Sequence, residues 1–238
     1  MDEAVLYIPL FTTVVAAVFA VTVFRRWRTR PGSLHLAWWS IGLVLYGVGT
    51  LTEGLTALFD WHEPIFRAWY ISGALLGGAP LAQGTVYLLL PRRTGHILTV
   101  PLVTFIVIAS IFVLLTPLEA VEPGDNHLNA EIIEWTWVRA FSPIVNTYAV
   151  IFLIGGAIYS AVKFRHTAPR RAKGTAAIAA GAILPGIGGV FTRAGYTEVL
   201  YVCELIGLSL VFLGYWLTVT PSRAEGERQA PKGALVGH

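Results

Sequence analysis

Charge and cysteine are both scarce in this chain of 238 residues. Lys, Arg, Asp and Glu make up 13% of it and hydrophobic residues 55%. A soluble domain carries about 25% charge. The balance excludes an ordinary soluble domain and points to a polytopic membrane protein. The lone cysteine, Cys203, excludes an internal disulfide and any multi-cysteine metal site. No two of the six histidines form an HxxxH or HExxH pair, which removes the common zinc signatures. No GK[ST] follows a glycine-rich run, so "GALLGGAP" is no phosphate loop. No serine has a histidine and an acid as partners at membrane depth. An intramembrane enzyme is therefore the weakest reading, and no residue is assigned a catalytic or metal-binding role.

What is present is a succession of apolar runs. A helix needs ~20 apolar residues to cross ~30 Å of hydrocarbon. Segments at about 5–24, 35–59, 65–90, 95–116, 132–162, 174–193 and 198–219 qualify. They predict an all-α, seven-helix transmembrane domain over 1–220, with 221–238 as a disordered cytoplasmic tail. The acidic start, "MDEAVLYIPL", reads as the head of a first span and not as a cleaved leader.

Basic residues set the expected orientation. With the N-terminus outside, all but three of the 17 fall on the cytoplasmic side. They are Arg25, Arg26, Arg28 and Arg30; Arg92 and Arg93; Lys163, Arg165, Arg170, Arg171 and Lys173; Arg223, Arg228 and Lys232. Such segregation is topological. It argues against nucleic acid as a partner and for anionic lipid head groups. Tryptophans near the span ends, among them Trp61, Trp69, Trp135 and Trp137, read as an aromatic belt.

The remaining charges need an account. Glu53 lies six residues below the outer end of the second span, roughly 9 Å deep at 1.5 Å per residue. Arg139 and Glu204 fall at a similar depth in the fifth and seventh spans when counted from Ile132 and Glu198. An isolated charge in hydrocarbon costs at least ~2.5–3.5 kcal/mol, which pairing relieves. Glu53, Arg139 and Glu204 are therefore expected to meet, with Arg67, Arg193 and Glu198 about a turn higher. Tyr70, Tyr201 and Asn146 would extend an outward-facing polar pocket that closes near Asn146. Two accounts of this layer stay open: ion pairs that fix helix register, or a ligand or ion site. The inner half offers Gln83, read as a helix-to-helix hydrogen bond, and a few hydroxyls, so it is expected to be sealed. Glycine-rich runs such as "AAIAAGAILPGIGG" read as close helix packing.

Seven helices with an outside N-terminus are similar to microbial rhodopsins. Those hold retinal on a lysine of the seventh helix, and "EVLYVCELIGLSLVFLGYWLTVT" has none, so no retinal and no other cofactor is expected. The proline-glutamine signature of three-plus-one-plus-three sugar and lysosomal transporters is missing too. In helix count, topology and composition the chain resembles stand-alone bacterial seven-helix membrane proteins, and loosely the seven-helix sensor regions of bacterial kinases. That resemblance implies a multi-pass protein of a bacterial inner membrane. The outward-facing polar pocket and the sealed inner half favour a receptor-like or sensory module for a small or lipid-like ligand, which would signal through a separate partner protein. The alternative is a small secondary transporter or proton-coupled carrier.

Overall fold

A computed structural model of the chain describes residues 3–121 and 128–220. All regular elements among them are helical; Leu118 and Ile133 form an isolated antiparallel bridge. Six helices are long and apolar enough to cross a membrane. The rods are α1 (Ile8–Thr29), α2 (Leu34–Phe59), a broken α3 over 63–89, α4 (Arg92–Leu115), α5 (Thr136–Phe164), α6 (Pro169–Arg193) and α7 (Thr197–Val219). They alternate in direction. One end of the bundle carries residues 116–121 and 128–135 and is called the loop end. The other carries the arginine-rich connections and is called the basic end. The expected tail, 221–238, lies outside the described residues.

The sequence predicts α3 as one helix over 65–90, and the structure divides it. An α segment at Glu63–Trp69 passes into a π turn at Tyr70–Leu75, and helix resumes at Ala79–Leu89. The glycine run in between has few side chains with which to hold a continuous rod. The break frees the Ala74 carbonyl, which cannot stay unsatisfied in an apolar bundle. Ser142 Oγ (2.5 Å) and Asn146 Nδ2 (3.1 Å) of α5 donate to it. α5 is irregular as well: it opens with a 3-10 segment at Thr136–Ala140 and contains a π turn at Val150–Ile154.

α6 and α7 form a tight antiparallel pair. Gly174, Gly181 and Gly188 recur every seven residues along α6 and face Gly214, Gly207 and Leu200 of α7. A Cβ added at Gly207 would stand 2.6 Å from the Gly181 carbonyl oxygen, and one at Gly174 would stand 2.7 Å from that of Gly214. The absence of side chains is what lets the backbones touch. The turn between the helices is a Schellman motif. Tyr196 N–H donates to Phe191 O and Gly195 N–H to Thr192 O, both at 3.0 Å. Gly195 takes φ +90°, where a side chain would be strained.

Three clusters form the core among the described residues; one of them, Leu75, Ala79, Leu102, Ala109 and Val145, joins α3, α4 and α5. Phe19, Val23, Leu36, Leu43, Leu208 and Tyr215 join α1, α2 and α7 toward the basic end. Phe66, Tyr70, Val113, Leu128, Ile133 and Val138 fill the loop end. There the connection folds back on itself: Glu119 N–H donates to Ile132 O (2.8 Å) and Glu134 N–H to Pro117 O (3.2 Å). Outward faces are apolar. On α1 they include Phe11, Val14, Val18 and Val21, and on α4 Val100, Val107, Ile111 and Leu114. Exposed apolar surface on this scale is what a bilayer covers.

Candidate functional site

The buried face of α2 carries hydroxyls and one acid. Thr50, Thr52, Glu53 and Thr56 are all buried, Glu53 with 5% of its surface exposed. Helical spacing puts Thr50, Glu53 and Thr56 on one stripe. Small residues let the neighbours close in. A Cβ at Gly49 would stand 3.1 Å from Gly73 Cα of α3, and Thr50 Oγ1 meets Thr13 Oγ1 of α1 at 2.9 Å. This approach delivers Trp69, whose Nε1–H donates to Glu53 Oε1 at 2.9 Å. From the other side α7 brings Glu204, whose carboxyl lies within hydrogen-bonding reach of that of Glu53. Tyr46 Oη–H donates to the Glu204 backbone carbonyl at 3.2 Å and ties α2 to α7 one turn below the acids. Tyr201 is buried beside the pair, and Cys203 neighbours Glu204.

The outcome is two carboxyl groups face to face, each with one oxygen short of a donor. Glu53 Oε2 and Glu204 Oε2 are buried and have no hydrogen-bond partner among the described residues. Two carboxylates offer only acceptors to each other. A proton shared between them turns that clash into a hydrogen bond.

Arg139 does not join the pair. The sequence expectation counts its depth from Ile132, but the continuous helix begins later and Arg139 sits on the opening 3-10 segment. Its guanidinium turns to the loop, donating to Ile133 O (3.2 Å from Nε, 2.8 Å from Nη2) and to Glu131 O. Glu131 lies in a 3-10 turn, Ala130–Ile132, and Ile133 caps it, so the guanidinium satisfies carbonyls at the end of that turn. Arg67 is employed in the same way. It pairs with Glu63 at 2.7 Å, and donates to Thr116 O at 3.0 Å and to Val113 O. The last two are terminal carbonyls of α4, where a cation is favoured by geometry and by the helix dipole. Arg67→Ala is expected to cost about 2–3 kcal/mol and to loosen the end of α4. Faster amide exchange at Thr116, with α6 and α7 unchanged, is the check. Arg67→Lys should recover only part, since lysine lacks the guanidinium fork.

The other residues expected at the site are dispersed. Glu198 occupies the first turn of α7, where an acid complements the helix N-terminus. The Arg193 side chain lies outside what is described. Tyr70 packs into the loop-end core, and Asn146 holds the break in α3 instead of closing a pocket. Gln83 is fully buried and bridges three rods. Its Nε2 donates to Gly95 O (3.1 Å) and Thr99 Oγ1 (2.7 Å) of α4, and its Oε1 accepts from Tyr148 of α5. Trp69 and Tyr46 are the site residues that sequence reasoning missed. Trp69 resembles a belt tryptophan until α3 is seen to turn it inward.

The basic end is not sealed as the sequence suggested. A cavity of about 210 Å³ opens among α1, α2, α3, α5, α6 and α7. Arg26, Arg30, Arg171 and His35 stand on its lining toward the basic end, and Leu43, Leu81 and Val211 line it deeper in the bundle. Gly156, Ala157 and Ser160 of α5 also line it. No protein-family model matches the chain, and comparison with curated proteins and with solved structures likewise finds no match.

Proposed function

We propose that the protein is a receptor-like sensory module of a bacterial inner membrane, with its N-terminus outside and its C-terminus in the cytoplasm, whose responsive element is the Glu53–Glu204 pair. The observation that carries this reading is the pair itself. Two acids on separate rods face each other with an unpartnered oxygen each, so the α2–α7 contact depends on what lies between them. A shared proton holds the rods together, and its loss sets like charges against each other in a low-dielectric setting. The segregation of basic residues supports the orientation. A bistable helix contact biased by a local charge is a means of signalling.

Among the described side chains, the neighbouring groups supply no countercharge to the pair. α2 contributes Tyr46, α3 the Trp69 indole, and α7 Tyr201, Cys203 and Glu198. Arg67 and Arg139 are bonded to loop and helix-end carbonyls.

Spin labels at positions 59 and 196, both exposed at the loop end, report the separation of α2 and α7 in nanodiscs. Cys203→Ser removes the native thiol. The distance is expected to lengthen as pH rises across roughly 4 to 9 and to stay constant in Glu53→Gln. A distance that ignores pH in the native chain sinks the proposal. The carrier reading is favoured by a different observation, the cavity at the opposite end from the acid pair. Proton-driven solute flux in proteoliposomes, abolished by Glu53→Gln, would establish it in place of sensing.

A further inference from the structure

We propose that the basic-end cavity binds a single aliphatic chain bearing an anionic head, carboxylate or phosphate. The inference goes beyond the acid-pair reading and does not depend on it. Size limits the occupant first. About 210 Å³ exceeds the ~150 Å³ apolar cavity that holds benzene, and is less than the ~300–1,000 Å³ of pockets for drug-sized ligands. One chain fits; two chains side by side do not. Depth agrees with an elongated guest: Leu43, on the lining, lies nine residues into α2, roughly 13 Å from its start at 1.5 Å per residue.

Chemistry then orders the guest end to end. The deep lining, with Leu43, Leu81 and Val211, is apolar and suits methylenes. Toward the basic end the cavity meets Arg26, Arg30 and Arg171, three cations with no carboxylate on the lining. Among the described residues none of the three forms an ion pair. Arg26 is half-buried, so an anion there is partly shielded from solvent. Tyr215 adds a second pointer. It is 4% exposed and lines the cavity, and its hydroxyl lies next to the Arg26 guanidinium without making a hydrogen bond of acceptable geometry among the described residues. A head group seated near Arg26 can accept from it. A neutral guest would leave the half-buried Arg26 without a counter-charge, whereas Arg171 already lies over the Phe164 ring at 3.9 Å; a bare anion would leave the apolar lining uncovered.

Native mass spectrometry and thermal unfolding in dodecyl maltoside micelles test this, with dodecyl phosphate and dodecanoate as probes. The micelle is itself the neutral-headed control. Both anionic probes are expected to bind and to raise the unfolding temperature. Arg26→Gln with Arg171→Gln should weaken them about tenfold or more. Ala157→Phe, which fills the cavity, should abolish both; if that variant fails to fold, the arginine variant still decides. Nanodiscs containing phosphatidylglycerol separate the sources. Retention of that lipid on extraction, lost in the arginine variant, makes the guest one chain of a membrane lipid; binding of the free probes without it makes the guest a free amphiphile. Inorganic phosphate bound as tightly as dodecyl phosphate would overturn the chain. Affinity unaffected by the arginine variant would overturn the head group, and no binding by either probe would overturn the site. Glu53→Gln is the control: probe affinity is expected to be unchanged in it, so failure here leaves the acid pair standing.

Discussion

Gly181→Leu is expected to separate α6 from α7 and to lower stability by about 3 kcal/mol or more. A side chain at this position would be driven into the Gly207 carbonyl, a backbone atom that cannot rotate aside. Relief requires moving one helix off the other along a seam that repeats at Gly174 and Gly188. The shift would also carry Glu204 and Tyr201 away from α2, since both ride on α7. Gly186→Leu and Gly189→Leu are the controls. A Cβ at either position meets nothing within 4 Å, so both variants should unfold like the native protein. Reversible unfolding in mixed micelles would distinguish the three. Equal losses at 181 and 186 would mean that glycine lowers the cost of this helix by some route other than close packing.

Glu53→Gln is expected to stabilise the bundle, and increasingly so as pH rises. In the native pair each Oε2 lacks a donor. An amide at position 53 supplies one without changing shape, and removes one of two like charges. The sign follows from the shared proton. At low pH it is present and the native contact holds. As pH rises it is lost, two carboxylates remain in contact, and native stability falls further than that of Glu53→Gln, in which Glu204 alone can ionise. The gap at high pH should be about 1–3 kcal/mol. Glu53→Ala leaves Trp69 Nε1 without an acceptor as well as opening a void, so it should destabilise at every pH. A double-mutant cycle with Glu204→Gln completes the test: additive effects would show that the carboxyls do not interact.

Much of the architecture was legible in hydropathy because span length is set by bilayer thickness. The second span, expected at 35–59, is Leu34–Phe59, and the seventh, expected at 198–219, is Thr197–Val219. Depth arithmetic worked on these two rods because both are continuous α-helix between Glu53 or Glu204 and the nearer end. It failed for Arg139 because α5 opens with a 3-10 segment. A rise of 1.5 Å per residue counted from Ile132 therefore measured helix that is not there. The break in α3 was hidden for a related reason. Composition reports that "ISGALLGGAP" is apolar, but whether its backbone groups close on themselves depends on Ser142 and Asn146 some 70 positions later. The cavity left no sequence signature, since its lining is drawn from six rods whose residues lie far apart in the chain.

The Schellman turn and the glycine seam together give the final third of the chain a self-sufficient hairpin. Its two rods can pair as soon as both have left the ribosome, before any earlier helix is consulted. Glu204 then enters the lipid on a preformed unit, carrying a carboxyl whose counterpart already waits on α2. Lateral docking of that hairpin is then a discrete step of assembly, and the acid contact registers that it has taken place.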